Sequence, residues 1–68
     1  MESVYKVIEL VGTSDNSWED AARVVVDTAS KSLRDLRVAE VKEMDLKIVD
    51  GEIVYRVKMD VSFKYQGE

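Results

Sequence analysis

Apolar and polar side chains alternate along residues 52–65. The odd positions are all apolar or aromatic: Ile53, Tyr55, Val57, Met59, Val61, Phe63 and Tyr65. Among the even positions only Val54 is apolar. Because successive side chains of a strand point to opposite faces, this pattern predicts a long strand with one buried face.

Asp50-Gly51 comes directly before this strand and is typical of a two-residue type I′ hairpin turn. Such a turn pairs the flanking residues symmetrically, so that Asp45 faces Arg56 and Glu43 faces Lys58. Opposite charges in facing positions stabilise a pair of strands. The sequence therefore predicts a hairpin with a defined register.

Extended toward the N-terminus, the same register would point Glu40 and Lys42 into the core. The alternation of apolar and polar residues therefore changes phase before residue 43. One extra residue near positions 41–43, a β-bulge, restores it. With the bulge, Ala39 and Val41 face the helix. Val38 and Glu40 then lie on the opposite face, and the residues that share it on the last strand are Arg56, Lys58 and Asp60.

The first half of the chain predicts a strand at residues 3–11, turn residues at 12–16 and a helix near residues 17–34. Ser17 and Asp20 resemble a capping box at the helix start. The apolar residues repeat at helical spacing: Trp18, Ala21, Ala22, Val25, Val26, Ala29 and Leu33. Trp18 could stack on a ligand, but its phase with the other apolar residues favours packing in the core or at an interface.

These elements predict an α+β fold in the order β-α-β-β, with one helix on a three-stranded antiparallel sheet and a single domain over residues 1–68. A 68-residue chain buries only about 60% of its unfolded surface. The chain contains no Cys and no His, which excludes disulfides and makes a zinc site improbable. One helix leaves the second sheet face uncovered, so we expect a homo-oligomer in which that face meets symmetry partners or ligands.

Composition also bears on function. A net charge of −4 argues against nucleic acid as a partner. The apolar runs are far shorter than a membrane span, and the absence of a signal-peptide pattern favours the cytoplasm. Without His or Cys the usual general bases and thiolate nucleophiles are missing, so we expect no enzyme activity.

Three stretches in this order resemble the dodecin family over nearly the whole chain. They are Tyr5-Lys6-Val7-Ile8-Glu9-Leu10-Val11-Gly12-Thr13-Ser14, then Val38-Ala39-Glu40-Val41, then Val57-Lys58-Met59-Asp60-Val61-Ser62-Phe63. The resemblance implies β-α-β-β subunits that assemble as hollow homododecamers. It also implies flavin (riboflavin or FMN) binding, in which a tryptophan stacks on the ring and a glutamine bonds its edge.

The positions that match these two flavin contacts are Val38 and Arg56. Valine cannot reproduce aromatic stacking, which weakens the expectation of flavin binding. Arg56 could contact a ligand, although the pair with Asp45 is the favoured interpretation. Lys6 and Lys64 match basic positions that in some dodecins contact phosphate-bearing ligands. An equally good interpretation is that these two lysines are edge charges that discourage aggregation through the strands.

The sequence most resembles a calcium dodecin-like branch that lacks the flavin-stacking tryptophan and shares, in similar form, Ser17-Trp18-Glu19, Arg37-Val38-Ala39 and Tyr55-Arg56-Val57-Lys58. Calcium takes six to eight oxygen ligands. Glu40 and Asp60 are the first candidates, against the commoner alternative of solvated surface carboxylates. We therefore hypothesise that the chain is a ligand-binding subunit of a homododecamer and that its ligand is calcium. The alternatives are flavin binding and a purely structural shell.

Overall fold

The computed structural model describes residues 3–65. Within them the chain forms strand β1 (Tyr5–Ser14), helix α1 (Trp18–Ser32), strand β2 (Leu36–Val49) and strand β3 (Glu52–Lys64). The sheet order is β1-β3-β2, and both neighbouring pairs are antiparallel. The predicted α+β architecture is confirmed.

The β2–β3 hairpin has the predicted turn and register. Asp50 and Gly51 both have positive φ angles, 50° and 79°, which a two-residue primed turn requires. Asp45 faces Arg56. The register then shifts between Val41 and Glu43, where the bulge was predicted. A second shift, between Leu36 and Val38, was not predicted.

Strand β1 extends further than the sequence indicated. Gly12, Thr13 and Ser14 have turn-forming side chains, but they continue the strand and pair with Val57, Arg56 and Tyr55 of β3. The predicted turn is therefore wrong for these three residues, because β3 is long enough to satisfy their backbone groups. The turn itself occupies residues 15–17.

Helix α1 begins where its capping residue places it. The Ser17 side chain accepts a hydrogen bond from the Asp20 backbone N–H at 3.0 Å. The Asp20 carboxylate accepts a hydrogen bond from the Ser14 hydroxyl at 2.7 Å, which ties the helix start to the end of β1. The helix ends at Ser32, two residues before the predicted end.

The core lies between α1 and the two strands that it covers. Val57, Met59 and Val61 of β3 are buried beneath Ala21 and Val25 of the helix. Because cross-strand partners share a face of the sheet, the helix-facing residues of β1 are Ile8, Leu10 and Gly12. The helix crosses β1 most closely at Gly12, where an added Cβ would lie 2.3 Å from Cγ2 of Val25.

The helix is shorter than the sheet that it covers. Its 15 residues span about 22 Å, whereas the 14 residues of β2 span about 46 Å. The turn end of the hairpin therefore projects past the helix. We call the helix-facing side of this projection the hairpin arm, and its exposed apolar residues are Met44, Leu46, Ile48 and Ile53.

Candidate functional site

The sheet surface opposite α1, which we call the open face, carries all but one of the residues that the sequence singled out for ligand binding; the exception is Lys6. Cross-strand partners point to the same side of a sheet, so the register assigns its members. From β1 they are Val7, Glu9, Val11 and Thr13; from β3, Arg56, Lys58, Asp60 and Ser62; and from β2, Val38, Glu40, Glu43 and Asp45. Charged side chains thus alternate with isolated apolar ones along this face.

A row of three carboxylates crosses the open face from edge to edge. Asp60 of the central strand faces Glu40 of β2 on one side and Glu9 of β1 on the other. The structure therefore brings together the predicted pair Glu40 and Asp60. Sequence reasoning missed Glu9, because only the register between β1 and β3 reveals that it faces Asp60.

Two lysines lie at the limit of ion-pair distance from this carboxylate row. Lys58 Nζ is 4.0 Å from Glu9, and Lys42 Nζ is 4.0 Å from Glu40. All four side chains are at least two-fifths exposed, so these contacts add little stability. The row therefore keeps a negative character despite its lysine neighbours.

One copy of the chain does not build a metal centre from these groups. Neighbouring strands lie about 4.8 Å apart, which separates the backbones at Glu9 and Glu40 by roughly 10 Å. Calcium needs six or more oxygens at about 2.3–2.6 Å. Within residues 3–65, no group of three or more acidic side chains is placed to hold a metal ion.

A shallow depression of about 240 Å³ lies beside the carboxylate row on the open face. Its lining residues are Val11, Glu43, Asp45, Arg56 and Lys58. Two carboxylates, two cations and one apolar side chain, Val11, therefore border the depression. The depression is large enough for a small ligand group and contains Arg56, one of the predicted flavin positions.

Asp45 and Arg56 form a bidentate ion pair in this depression. Arg56 Nε donates to one carboxylate oxygen and Nη2 to the other, both at 2.7 Å. The hydrogen bond from Arg56 holds the pKa of Asp45 below its usual range, and the same bond raises the pKa of Arg56. The predicted cross-strand pair is confirmed.

Trp18 supports the same pair from the other side of the sheet. Its indole N–H donates to the backbone carbonyl of Asp45 at 3.0 Å. Its ring meets Tyr55 edge to face, with centroids 5.2 Å apart and an interplanar angle of 82°. Trp18 thus packs between helix and hairpin, as its helical phase predicted, and fixes the backbone that carries the Asp45 carboxylate.

The two predicted flavin positions lie far apart in one subunit. Val38 faces Ser62, six residues along β3 from Arg56, which corresponds to roughly 20 Å. Val38 is 61% exposed, so it is open to a partner or ligand. A single chain therefore does not bring Val38 and Arg56 to the same ring.

The two candidate phosphate-contact residues lie on opposite faces of the sheet. Lys6 is paired with Phe63 on the helix side, whereas Lys64 is paired with Tyr5 on the open face. Within one subunit they do not converge on a common anion. Each lies at the same end of the sheet, away from the hairpin turn.

Helix α1 has neither the length nor the apolar character that crossing a membrane requires, and residues 3–65 contain no other helix.

Comparison with known proteins identifies the family to which this chain is similar. The Dodecin family model matches residues 4–66. Calcium dodecin from Mycobacterium tuberculosis is 52% identical over 63 residues, which cover 91% of this chain and 89% of that protein. Dodecin from Thermus thermophilus is 39% identical over 67 residues, which cover 97% of each.

The fold agrees with a solved structure of the first of these relatives. The crystal structure of the calcium-chelating calcium dodecin from M. tuberculosis, described as having a novel calcium-binding site, superposes with a TM-score of 0.88. It is 49% identical, and the match covers 97% of this chain and 96% of that one. The match in sequence over almost the full length, together with the shared β-α-β-β fold, shows that this chain belongs to the dodecin family.

Proposed function

We propose that this chain is a small-ligand-binding subunit of a hollow homododecamer, that it binds calcium, and that it is not an enzyme. The observation that carries the calcium proposal is the row of Glu9, Asp60 and Glu40 across the open face. Carboxylate oxygens are the ligands that calcium prefers. Symmetry-related copies of the row would supply the further oxygens that one chain lacks.

The proposed assembly is supported by the surface that the helix leaves bare. On the hairpin arm Ile48 is 72% exposed and Met44 56%. On the open face Val7 and Val11 are both 57% exposed and Val38 is 61%. A contiguous exposed apolar surface, such as the hairpin arm, marks an interaction site in soluble proteins, and contact between copies of the chain would bury it together with the isolated valines of the open face.

The first experiment measures the native mass of the purified protein. Twelve copies of 7.7 kDa give a particle of about 92 kDa in native mass spectrometry or light scattering. A stable folded monomer at micromolar concentration would contradict the assembly and remove the symmetry axes on which the calcium site depends.

The second experiment is a calcium titration by calorimetry on chelator-treated protein. Wild-type protein should release or absorb heat on binding, and Asp60→Asn should weaken binding by about tenfold or more, because a central acceptor loses its charge. Asp27→Asn is the matched control, since it removes one exposed carboxylate on α1 far from the row. Equal affinity in wild type and Asp60→Asn would place the calcium site elsewhere.

Flavin binding is the less favoured alternative. It lacks a stacking aromatic at Val38, and Arg56 already has a carboxylate partner. If the purified protein is yellow and shows a flavin absorption band, flavin becomes the favoured ligand in place of calcium. Absence of both calcium heat and flavin colour would leave the purely structural shell.

A further inference from the structure

Both cations that line the depression on the open face already have carboxylate partners within the chain. Arg56 directs Nε and Nη2 at the two oxygens of Asp45 at 2.7 Å. Lys58 Nζ lies between Glu43 at 3.9 Å and Glu9 at 4.0 Å. The two cations differ in how firmly they are engaged, because only Arg56 makes short, paired hydrogen bonds.

The carboxylate of Asp45 occupies the side of the guanidinium that recognises oxyanions. Two parallel N–H groups of an arginine match two oxygens of a carboxylate or a phosphate, and this geometry is stronger and more specific than a single contact. A phosphate or carboxylate on a ligand would seek the same two N–H groups. It would therefore have to displace Asp45 before it could bind Arg56 in this way.

The fold holds Asp45 in this position by contacts that do not involve its carboxylate. The hairpin register sets Asp45 opposite Arg56, and the Trp18 indole N–H binds the Asp45 backbone carbonyl at 3.0 Å. The Asp45 side chain can thus be changed while the strand stays in place. At neutral pH the carboxylate is charged, since the Arg56 hydrogen bond keeps its pKa below the usual range.

We propose that Asp45 is an internal competitor for Arg56 and makes the depression selective against ligands that carry an anionic group. Arg56 is then an oxyanion-binding residue whose site is filled by the chain itself. The inference rests on the proposed ligand-binding role of the open face, and it makes Asp45 the residue that determines selectivity for the charge of the ligand. Neutral and cationic ligands reach the depression without breaking the pair.

The test compares two substitutions that change net charge equally. Asp45→Asn removes the competing charge and keeps the side-chain size, while Glu43→Gln removes a charge from the same depression without touching Arg56. The probe is inorganic pyrophosphate, measured by equilibrium dialysis. Dialysis continues until the distribution of pyrophosphate no longer changes with time, so that slow entry is not mistaken for weak binding.

We expect Asp45→Asn to bind pyrophosphate about threefold to fivefold more tightly than wild type, which is the upper part of the range that displacement of an exposed ion pair predicts. Glu43→Gln should gain less than about twofold. Adding Arg56→Gln to Asp45→Asn should abolish the gain. Circular dichroism and native mass verify each variant, and Asp45→Ser replaces Asp45→Asn if the latter does not fold.

Two results would overturn the proposal: no gain in Asp45→Asn, or equal gains in Asp45→Asn and Glu43→Gln, which would reflect net charge alone. A separate calcium titration of the same variants distinguishes failure of this proposal from failure of the proposed function. Calcium binding with no specific pyrophosphate gain rejects only the role of Asp45. A specific gain without calcium binding rejects only the calcium proposal.

Discussion

Gly12→Ala tests the close approach of helix and sheet on which the fold depends. A Cβ at this position would lie 2.3 Å from Val25 Cγ2 and 2.7 Å from the Ala21 backbone oxygen. Overpacking a core costs about 1–3 kcal/mol, and we expect the upper end, about 3 kcal/mol, because the backbone oxygen cannot move away by a rotamer change. A core of this size supplies only about 3–5 kcal/mol.

The measurement is urea unfolding followed by circular dichroism at one fixed protein concentration, since oligomer stability depends on concentration. With a slope near 1 kcal/mol per molar urea, the midpoint should fall by about 3 M. Gly51→Ala is the control: Gly51 has a φ of 79° but open space around it, so it should lose only about 1–2 kcal/mol from backbone strain.

Val25→Ala provides a second check on the cause. It removes the nearer of the two crowding atoms, so it should cost less free energy in the Gly12→Ala background than in wild type. An unchanged midpoint in Gly12→Ala would refute the crowding argument. So would a loss in Gly51→Ala as large as that in Gly12→Ala.

Two further changes probe the hairpin. Trp18→Phe keeps an aromatic ring but removes the N–H that binds the Asp45 carbonyl, so it should cost about 1 kcal/mol in the same urea assay; a midpoint equal to that of wild type would contradict this. Because the pKa of Asp45 is lowered on folding from 3.8, its pair with Arg56 adds stability above about pH 3.8, and this contribution is lost as pH falls through the lowered value. Asp45→Asn should therefore be less stable than wild type at pH 7 and approach it in strong acid, and a constant difference across pH would argue against the linkage.

The hairpin could be predicted closely because local chemistry determines it. The Asp50-Gly51 turn sets the register, and the charges of Asp45 and Arg56 agree with it. The break in apolar phase before Glu43 then locates the bulge. Turn type, charge pairing and side-chain alternation are all readable in the sequence, and all three indicate the same structure.

Features that depend on distant residues were not predictable in the same way. Gly12–Ser14 have turn-forming side chains, yet pairing with β3 keeps them in the strand. Glu9 is a neighbour of Asp60 only because β1 lies beside β3, and no local signal sets that register. The second bulge, near Arg37, leaves no clear break in the apolar pattern. Tertiary pairing overrode the turn propensity of Gly12–Ser14, and it determined the other two features without any local propensity.

In the structure, the proposed subunit contacts and the proposed ligand contacts lie on different surfaces of the sheet more clearly than the sequence indicated. The sequence argument assigned both subunit contacts and ligands to the face opposite the helix. Because α1 spans only about half the length of β2, the hairpin arm exposes Met44, Leu46 and Ile48 on the helix side as well.

The open face, by contrast, concentrates the carboxylate row and the Asp45–Arg56 pair. Subunit contacts through the apolar arm would leave those charged groups free to face a ligand, and burying the carboxylate row in a dry contact instead would require costly desolvation of three like charges. The arm therefore supplies the main apolar surface for assembly, and the charged groups of the open face suit recognition. It follows that substitutions that remove a charge in the depression, such as Asp45→Asn, should alter ligand choice while the native mass stays unchanged.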